Sequence, residues 1–185
     1  QEVLRLACRG TIKPVHYMST LSVFHSDGHQ EKKEFFEHDE PEFYTGFPNS
    51  YDQTKWVAEH IVRLAHARGV PVTVYRPGQI TGHSQTGVFN QTDFFYNFLK
   101  GCLQLGQIPI RHAPISMTPI DYVSQAIIYI SRQRPCTDQS FHLINPSAMK
   151  WDDIIAWLRS KGYTLQQLPY EQWVTALLTH QQHAL

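Results

Sequence analysis

Cysteine is scarce in this 185-residue chain and forms no pattern. Cys8, Cys102 and Cys136 are too scattered for a disulfide ladder, and none belongs to a Cys-x-x-Cys metal or redox pair. A reducing, cytoplasmic setting is expected. No apolar run approaches the ~20 residues that a membrane-spanning helix needs, and no basic-then-apolar leader opens the sequence. Net charge is absent too: 16 Lys+Arg balance 16 Asp+Glu. The basic stripe of a nucleic-acid or acidic-membrane surface is therefore not expected. The 10 glycines contain no Gly-x-Gly, so the glycine-rich turn that seats a diphosphate on a helix N-terminus is not among these residues. No internal repeat or low-complexity tract is visible.

With 42% hydrophobic residues, the chain can bury a normal core as one domain with a small appendage. Its centre is SYDQTKWVAEHIVRLAHARG, residues 50–69. Ser50 and Gln53 have the form of a capping box; Val57, Ile61, Leu64 and Ala65 recur at helical spacing as a candidate buried stripe; Gly69 is the expected stop. Four residues apart on such a helix, Tyr51 and Lys55 share a face, with about 5–6 Å between Cβ atoms. An ammonium beside a phenol favours phenolate, bringing the tyrosine towards a working acid or base. In a chain with nine tyrosines that spacing carries weight only in context.

The context is a βαβ unit. KPVHYMSTLSV before the helix reads as a strand over Val15–Ser19 that runs into a hydroxyl cluster of Ser19, Thr20 and Ser22. VPVTVYRPG after it is a second strand, rich in β-branched residues, ending at Pro77-Gly78. A parallel pair joined by a right-handed crossover would finish both strands on the carboxyl edge, where open α/β sheets bind ligands.

Elsewhere, residues 2–9 read as a helix closed by Gly10. The charged stretch from His25 to Pro48 reads as a mobile flap near the site; His25 and His29 within it lack a third ligand at familiar spacing, so no metal is expected. Gln79–Gln91 reads as a loop. A helix from Thr92 or Asp93 to Leu105 shows Phe94, Phe95, Phe98, Leu99 and Cys102, an aromatic stripe read as core rather than substrate pocket. Short strands at Ile115–Thr118 and Ser140–Ile144 alternate with helices at Asp121–Ser131 and Trp151–Lys161. An extended piece at Tyr163–Leu168 leads to a last helix over Tyr170–Thr179, and His180 and His183 read as a frayed end.

Five segments, PVHYMSTLSVF, SYDQTKWVAE, VYRPGQITGHSQTG, MTPIDYVSQAI and FHLINPSAMKWDDIIAWLRSKGY, together resemble the extended short-chain dehydrogenase/reductases. Within them they resemble the thioester reductase domains of nonribosomal peptide synthetases, carboxylic acid reductases and aminoadipate reductase. The resemblance implies an α/β fold: a partial Rossmann-like parallel sheet over residues 1–82, lacking its N-terminal strands, with a small mixed α/β substrate-binding lobe over 83–185. A strand and helix at about 115–145 would return to the main domain. It implies a catalytic set of Thr20, Tyr51 and Lys55, and nicotinamide contacts from Tyr51, Lys55, Pro77, Gly78 and Ile80. NADPH is the expected cofactor, and an acyl or peptidyl chain on the phosphopantetheine arm of a carrier protein the expected substrate, released as aldehyde or alcohol.

The first residues resemble the family helix that follows the fourth strand, so the expectation is a C-terminal part of a reductase domain. Its partner would be the N-terminal half of the same domain. Alone it would be inactive, and would self-associate through an exposed sheet edge. Two other readings remain open: a nucleotide-sugar epimerase or dehydratase of the same superfamily, and a non-catalytic piece that docks a carrier protein or oligomerises.

Overall fold

A computed structural model describes residues 2–24, 34–42, 47–133 and 139–183. Its elements in chain order are α1 (Glu2–Ala7), β1 (Val15–Met18), a 3-10 turn (Leu21–Phe24), α2 (Ser50–His66), β2 (Val72–Pro77), β3 (Gln79–Thr81), α3 (Phe94–Leu105), β4 (Gln107–Pro109), β5 (Met117–Pro119), α4 (Ile120–Ser131), β6 (Ser140–Leu143), α5 (Trp151–Ser160), β7 (Gln166–Leu168) and α6 (Tyr170–His183). They form two units, one of residues 1–84 and 117–145, the other of residues 85–116 and 146–185.

The first unit is built on a three-stranded sheet in the order β1-β2-β6, parallel throughout. Val15 pairs with Val72 and Met18 with Tyr75, while Val74 pairs with Ser140 and Pro77 with Leu143. All six residues of β2 are buried, as expected of a central strand covered on both faces. On one face Val72 and Val74 pack with Ala7, Val15 and Val62, from α1, β1 and α2. On the other, Tyr75 and Leu143 pack with Val123, Ala126, Ile127 and Ile130 of α4. In a second parallel pair, β3 with β5, β3 occupies residues expected to be loop; Ile80 faces Thr118 in its register. Three residues are too few for period-two alternation to be visible.

The α2 helix forms where expected, but its cap and its buried face differ. Asn49, not Ser50, is the N-cap: its Oδ1 accepts from the Asp52 N–H at 2.9 Å. Ser50 is already helical, so its hydroxyl no longer occupies the capping position. The buried residues are Asp52, Trp56, Glu59 and Val62. Val57, Ile61 and Leu64 of the expected stripe are 43, 38 and 47% exposed. The helix is rotated by polar demand: the Trp56 indole donates to the carbonyls of Pro41 and Glu42 at 3.1 and 3.0 Å, and Glu59 meets Arg76 from the sheet at 2.6 Å.

Residues 25–33 and 43–46 of the expected flap lie outside the described residues, and with them His25 and His29. The described piece, 34–42, is pinned rather than mobile. Arg76 donates to the carbonyls of Glu37 and Asp39, the Glu37 carboxylate accepts from the His142 N–H at 2.8 Å, and the Phe35 ring stacks on Phe24 at 4.5 Å. A buried guanidinium with donors left over recruits whatever carbonyls pass it.

In the second unit, α3 starts on Asp93, whose carboxylate accepts from the N–H groups of Phe95 and Tyr96, and stops at Gly106 in the left-handed region (φ 69°). Trp151, Ile154, Ile155 and Leu158 of α5 are buried; the Trp151 indole donates to the Pro109 carbonyl at 2.8 Å, and β4 pairs with β7. The aromatic stripe of α3 divides: Phe98 packs edge-on to Trp173, whereas Phe94 is 81% exposed. The strand expected at Ile115 starts at Met117, and Ile115 instead bridges Met149. The last helix continues to His183, past the expected fraying at His180. Among the described residues no helix is long and apolar enough to cross a membrane.

Burial pushes the Cys102 thiol up to about 11. Cys8 is exposed. Because the thiolate is the nucleophile, iodoacetamide at about pH 8 is expected to alkylate Cys8 and spare Cys102 until the protein is denatured. Peptide mass spectrometry reads the outcome, and equal labelling of the two in the native protein would contradict the packing of α3.

Candidate active site at the carboxyl edge of the sheet

Parallel β1 and β2 end on the same edge, so the residues just beyond them meet there. Thr20 follows β1 and Gly78 follows β2. The Gly78 N–H donates to the Leu143 carbonyl at 3.2 Å, extending the ladder to β6. Ile80 packs against the Tyr75–Val123–Leu143 cluster. The Thr20 hydroxyl accepts from the Ser22 N–H and lies 3.2 Å from the Ser22 hydroxyl, so it caps the 3-10 turn.

Lys55 is the residue that joins helix to strand. Its ammonium donates to the Met18 carbonyl at 2.9 Å, two residues before Thr20. It lies 6.0 Å from the centre of the Tyr51 ring and 5.7 Å from that of Tyr17. The cation is thus held by a strand-end carbonyl and two aromatic rings, within the range where ring quadrupoles attract a positive charge. Half-burial pushes the Lys55 pKa below its ordinary 10.5. Tyr51, in the first turn of α2, is 56% exposed, and its hydroxyl makes no hydrogen bond among the described residues. Tyr17 is the reverse: burial, then Glu59 and Tyr51, push its phenol pKa up. Tyr51 therefore has the accessible hydroxyl, and Tyr17 is a wall.

Neither Tyr17, Glu59 nor Arg76 stands out in the sequence, and Ser19 does so only within a hydroxyl cluster. The alternation Val15, Tyr17, Ser19 along β1 is the signal that would have aimed Tyr17 and Ser19 at α2. No group of three metal-ligating side chains occurs among the described residues.

The second unit holds a concavity of its own, about 670 Å³, lined by Phe94, Phe98, Trp151, Tyr170 and Trp173 with Arg111 at its side. Arg111 makes no ion pair or hydrogen bond among the described residues.

A parallel sheet with a crossover helix and helices on both faces defines a Rossmann-like α/β protein. Residues 1–127 match the model of an NAD-binding family described as male sterility protein, and the chain belongs to that family. It is homologous to terminal reductase domains of nonribosomal peptide synthetases. A linear gramicidin synthase polypeptide of Brevibacillus parabrevis is 37% identical over 177 residues, 96% of this chain and 4% of the relative. The large subunit of L-2-aminoadipate reductase of Candida glabrata is 32% identical, covering 95% of this chain and 14% of the relative. Among solved structures, the terminal R domain from the myxalamid PKS-NRPS biosynthetic pathway superposes with a TM-score of 0.91 at 42% identity, over 97% of this chain and 45% of that one. The chain thus spans less than half of that domain and a small part of the curated relatives.

Proposed function

We propose that the chain is the nicotinamide-proximal and substrate-binding part of an NADPH-dependent thioester reductase, which releases an acyl or peptidyl chain from a phosphopantetheine carrier as aldehyde or alcohol. The observation that carries this reading is the Lys55 ammonium, held between the Met18 carbonyl and the Tyr51 ring at the carboxyl edge. The residues fit the nicotinamide end of the cofactor. An ammonium has three donors; Met18 takes one, leaving two for the ribose hydroxyls. Pro77, Gly78 and Ile80 continue from the end of β2 and would line the ring. The diphosphate-binding turn has no counterpart in these residues.

A nicotinamide cofactor held by Lys55 and lined by Pro77, Gly78 and Ile80 would supply the hydride for a thioester carbonyl. As negative charge grows on the carbonyl oxygen, the Thr20 and Tyr51 hydroxyls would donate to it, and the Tyr51 phenol gives up its proton; the hemithioacetal so formed then breaks its C–S bond, releasing the aldehyde and leaving the pantetheine thiol on the carrier. Lys55 stabilises the phenolate that results. The aromatic hollow of the second unit supports its reading as the substrate lobe.

The test is made on the full-length protein that carries this chain. With an acyl-pantetheine thioester, it is expected to oxidise NADPH, seen as loss of the reduced-nicotinamide absorbance, and to form an aldehyde or alcohol. A UDP- or dTDP-sugar with NAD is expected to stay unchanged. Sugar turnover without thioester reduction would replace this reading with the epimerase or dehydratase one. If neither substrate reacts, a carrier-docking or oligomerising role is favoured.

A further inference from the structure

The polar groups that rotate α2 sit directly behind the site. Glu59 and Arg76 are both 0% exposed. The guanidinium Nη2 lies 2.6 Å from Glu59 Oε1 and Nε lies 3.2 Å from the same oxygen. The Ser19 hydroxyl donates to Glu59 Oε2 at 2.5 Å, and Arg63 Nε donates to Oε1 at 3.1 Å. Burial pushes the Glu59 carboxyl up, but Arg76, Ser19 and Arg63 together hold it below the ordinary carboxylate range. The carboxylate is therefore ionised, with both oxygens engaged.

What matters is where each member sits. Ser19 immediately precedes Thr20, Glu59 is one helical turn after Lys55, and Arg76 immediately precedes Pro77 and Gly78. One carboxylate thus touches all three chain segments that contribute to the site. Backbone pairing already sets β1 against β2, including Ser19 N–H to the Tyr75 carbonyl at 2.7 Å. It does not set the helix against the strands. Apolar packing is non-directional, so a helix resting on a greasy sheet keeps freedom to slide and roll. Directed, charge-assisted hydrogen bonds remove that freedom. A buried ion pair is often no more stabilising than apolar residues of the same size, so stability alone is a poor reason for one here.

We infer that Glu59 is a positioning residue of the reductase site: through Ser19 and Arg76 it fixes Thr20, Lys55 and the Pro77–Gly78 floor relative to one another. This rests on the reductase reading. It assigns Glu59, Ser19 and Arg76 no contact with substrate or cofactor.

Ser19→Ala in the full-length protein is the test. It removes one hydrogen bond and leaves Glu59 with both arginines. A displacement of about 1 Å at a catalytic group costs roughly 10²-fold in rate. The expected result is a 10- to 100-fold fall in kcat per folded molecule, with KM for the thioester nearly unchanged, because the loss falls on the transition state. Ser19→Thr, which keeps the hydroxyl, is expected to restore the rate to within a few-fold. A purely structural role predicts lower folded yield with wild-type kcat per folded molecule, and that outcome overturns the proposal. Should Ser19→Ala not fold, Ser19→Cys decides in its place: a tenfold or greater fall in kcat supports the proposal, and a wild-type value overturns it. Tyr51→Phe, run in parallel, separates the two levels. Absence of thioester reduction in the wild-type protein overturns the reductase reading and this inference with it; full turnover in Tyr51→Phe overturns the proton-donor assignment and the site that this inference arranges; a silent Ser19→Ala beside an inactive Tyr51→Phe overturns this inference alone.

Discussion

Tyr51→Phe in the full-length protein is expected to lower kcat by about 10²- to 10⁴-fold, the range contributed by a positioned general acid. The substitution keeps the ring that flanks the Lys55 ammonium at 6.0 Å and removes only a hydroxyl that is exposed and makes no hydrogen bond among the described residues. Nothing in the packing needs that hydroxyl. The thermal midpoint should therefore hardly move, and a fall in rate cannot be assigned to unfolding. The companion expectation concerns pH. Burial lowers the Lys55 pKa below 10.5, so the cation is lost earlier on the alkaline side than an exposed lysine would lose it. In the wild-type protein kcat should fall as pH rises through that lowered value. Stopped thioester assays across pH read both effects; turnover in Tyr51→Phe equal to wild type would sink the assignment of the proton donor.

The largest stability effect is expected at Arg76. Arg76→Met leaves Glu59 buried with only Arg63 and Ser19 for partners. Removing one member of a buried pair costs about 3–5 kcal/mol, and the surviving partners favour the lower end. The sign with pH follows from the carboxyl. In the wild-type protein its folded pKa lies below the ordinary 4.5, so its contribution is fully present above about 4.5 and is lost as pH falls through the folded value. In Arg76→Met, burial dominates and the folded pKa rises above 4.5. The ionised carboxyl is then a cost at neutral pH, relieved as acid protonates it. The gap between variant and wild type should be widest near neutrality and shrink on acidification, first as pH falls towards about 4.5, where the variant's carboxyl takes up its proton, and further below it, where the wild-type carboxyl does. Calorimetry at the two pH values measures it; a gap that stays constant would mean that the ion pair is not its source.

Much of the molecule was legible in one dimension because the signals are local. Asp93 and Gly106 bracket α3 through backbone groups within a turn of each end. Trp151, Ile154, Ile155 and Leu158 of α5 follow the helical period and are the residues buried. The run Val72–Tyr75, rich in β-branched and aromatic residues, reads as a strand and is one. The Tyr51–Lys55 spacing needed only the pitch of a helix.

What stayed hidden depended on partners far along the chain. Hydropathy treats Glu59 and Arg76 as solvent-facing and Val57, Ile61 and Leu64 as buried; the structure reverses both, because a carboxylate and a guanidinium 17 residues apart satisfy each other inside. The same holds for Trp56, which finds its acceptors 14 and 15 residues upstream, in a stretch whose charged, interrupted text read as a mobile loop. Three-residue strands such as β3 and β4 exist only through pairing, and no period fits so few residues. By itself, then, the amino-acid order determined the helices, the central strands and the Tyr–Lys motif, since each is set by contacts within a few residues. Only the tertiary structure decided which face of α2 turns inward and which buried charges stand behind the site, because a polar group's burial depends on whether another chain segment brings it a partner.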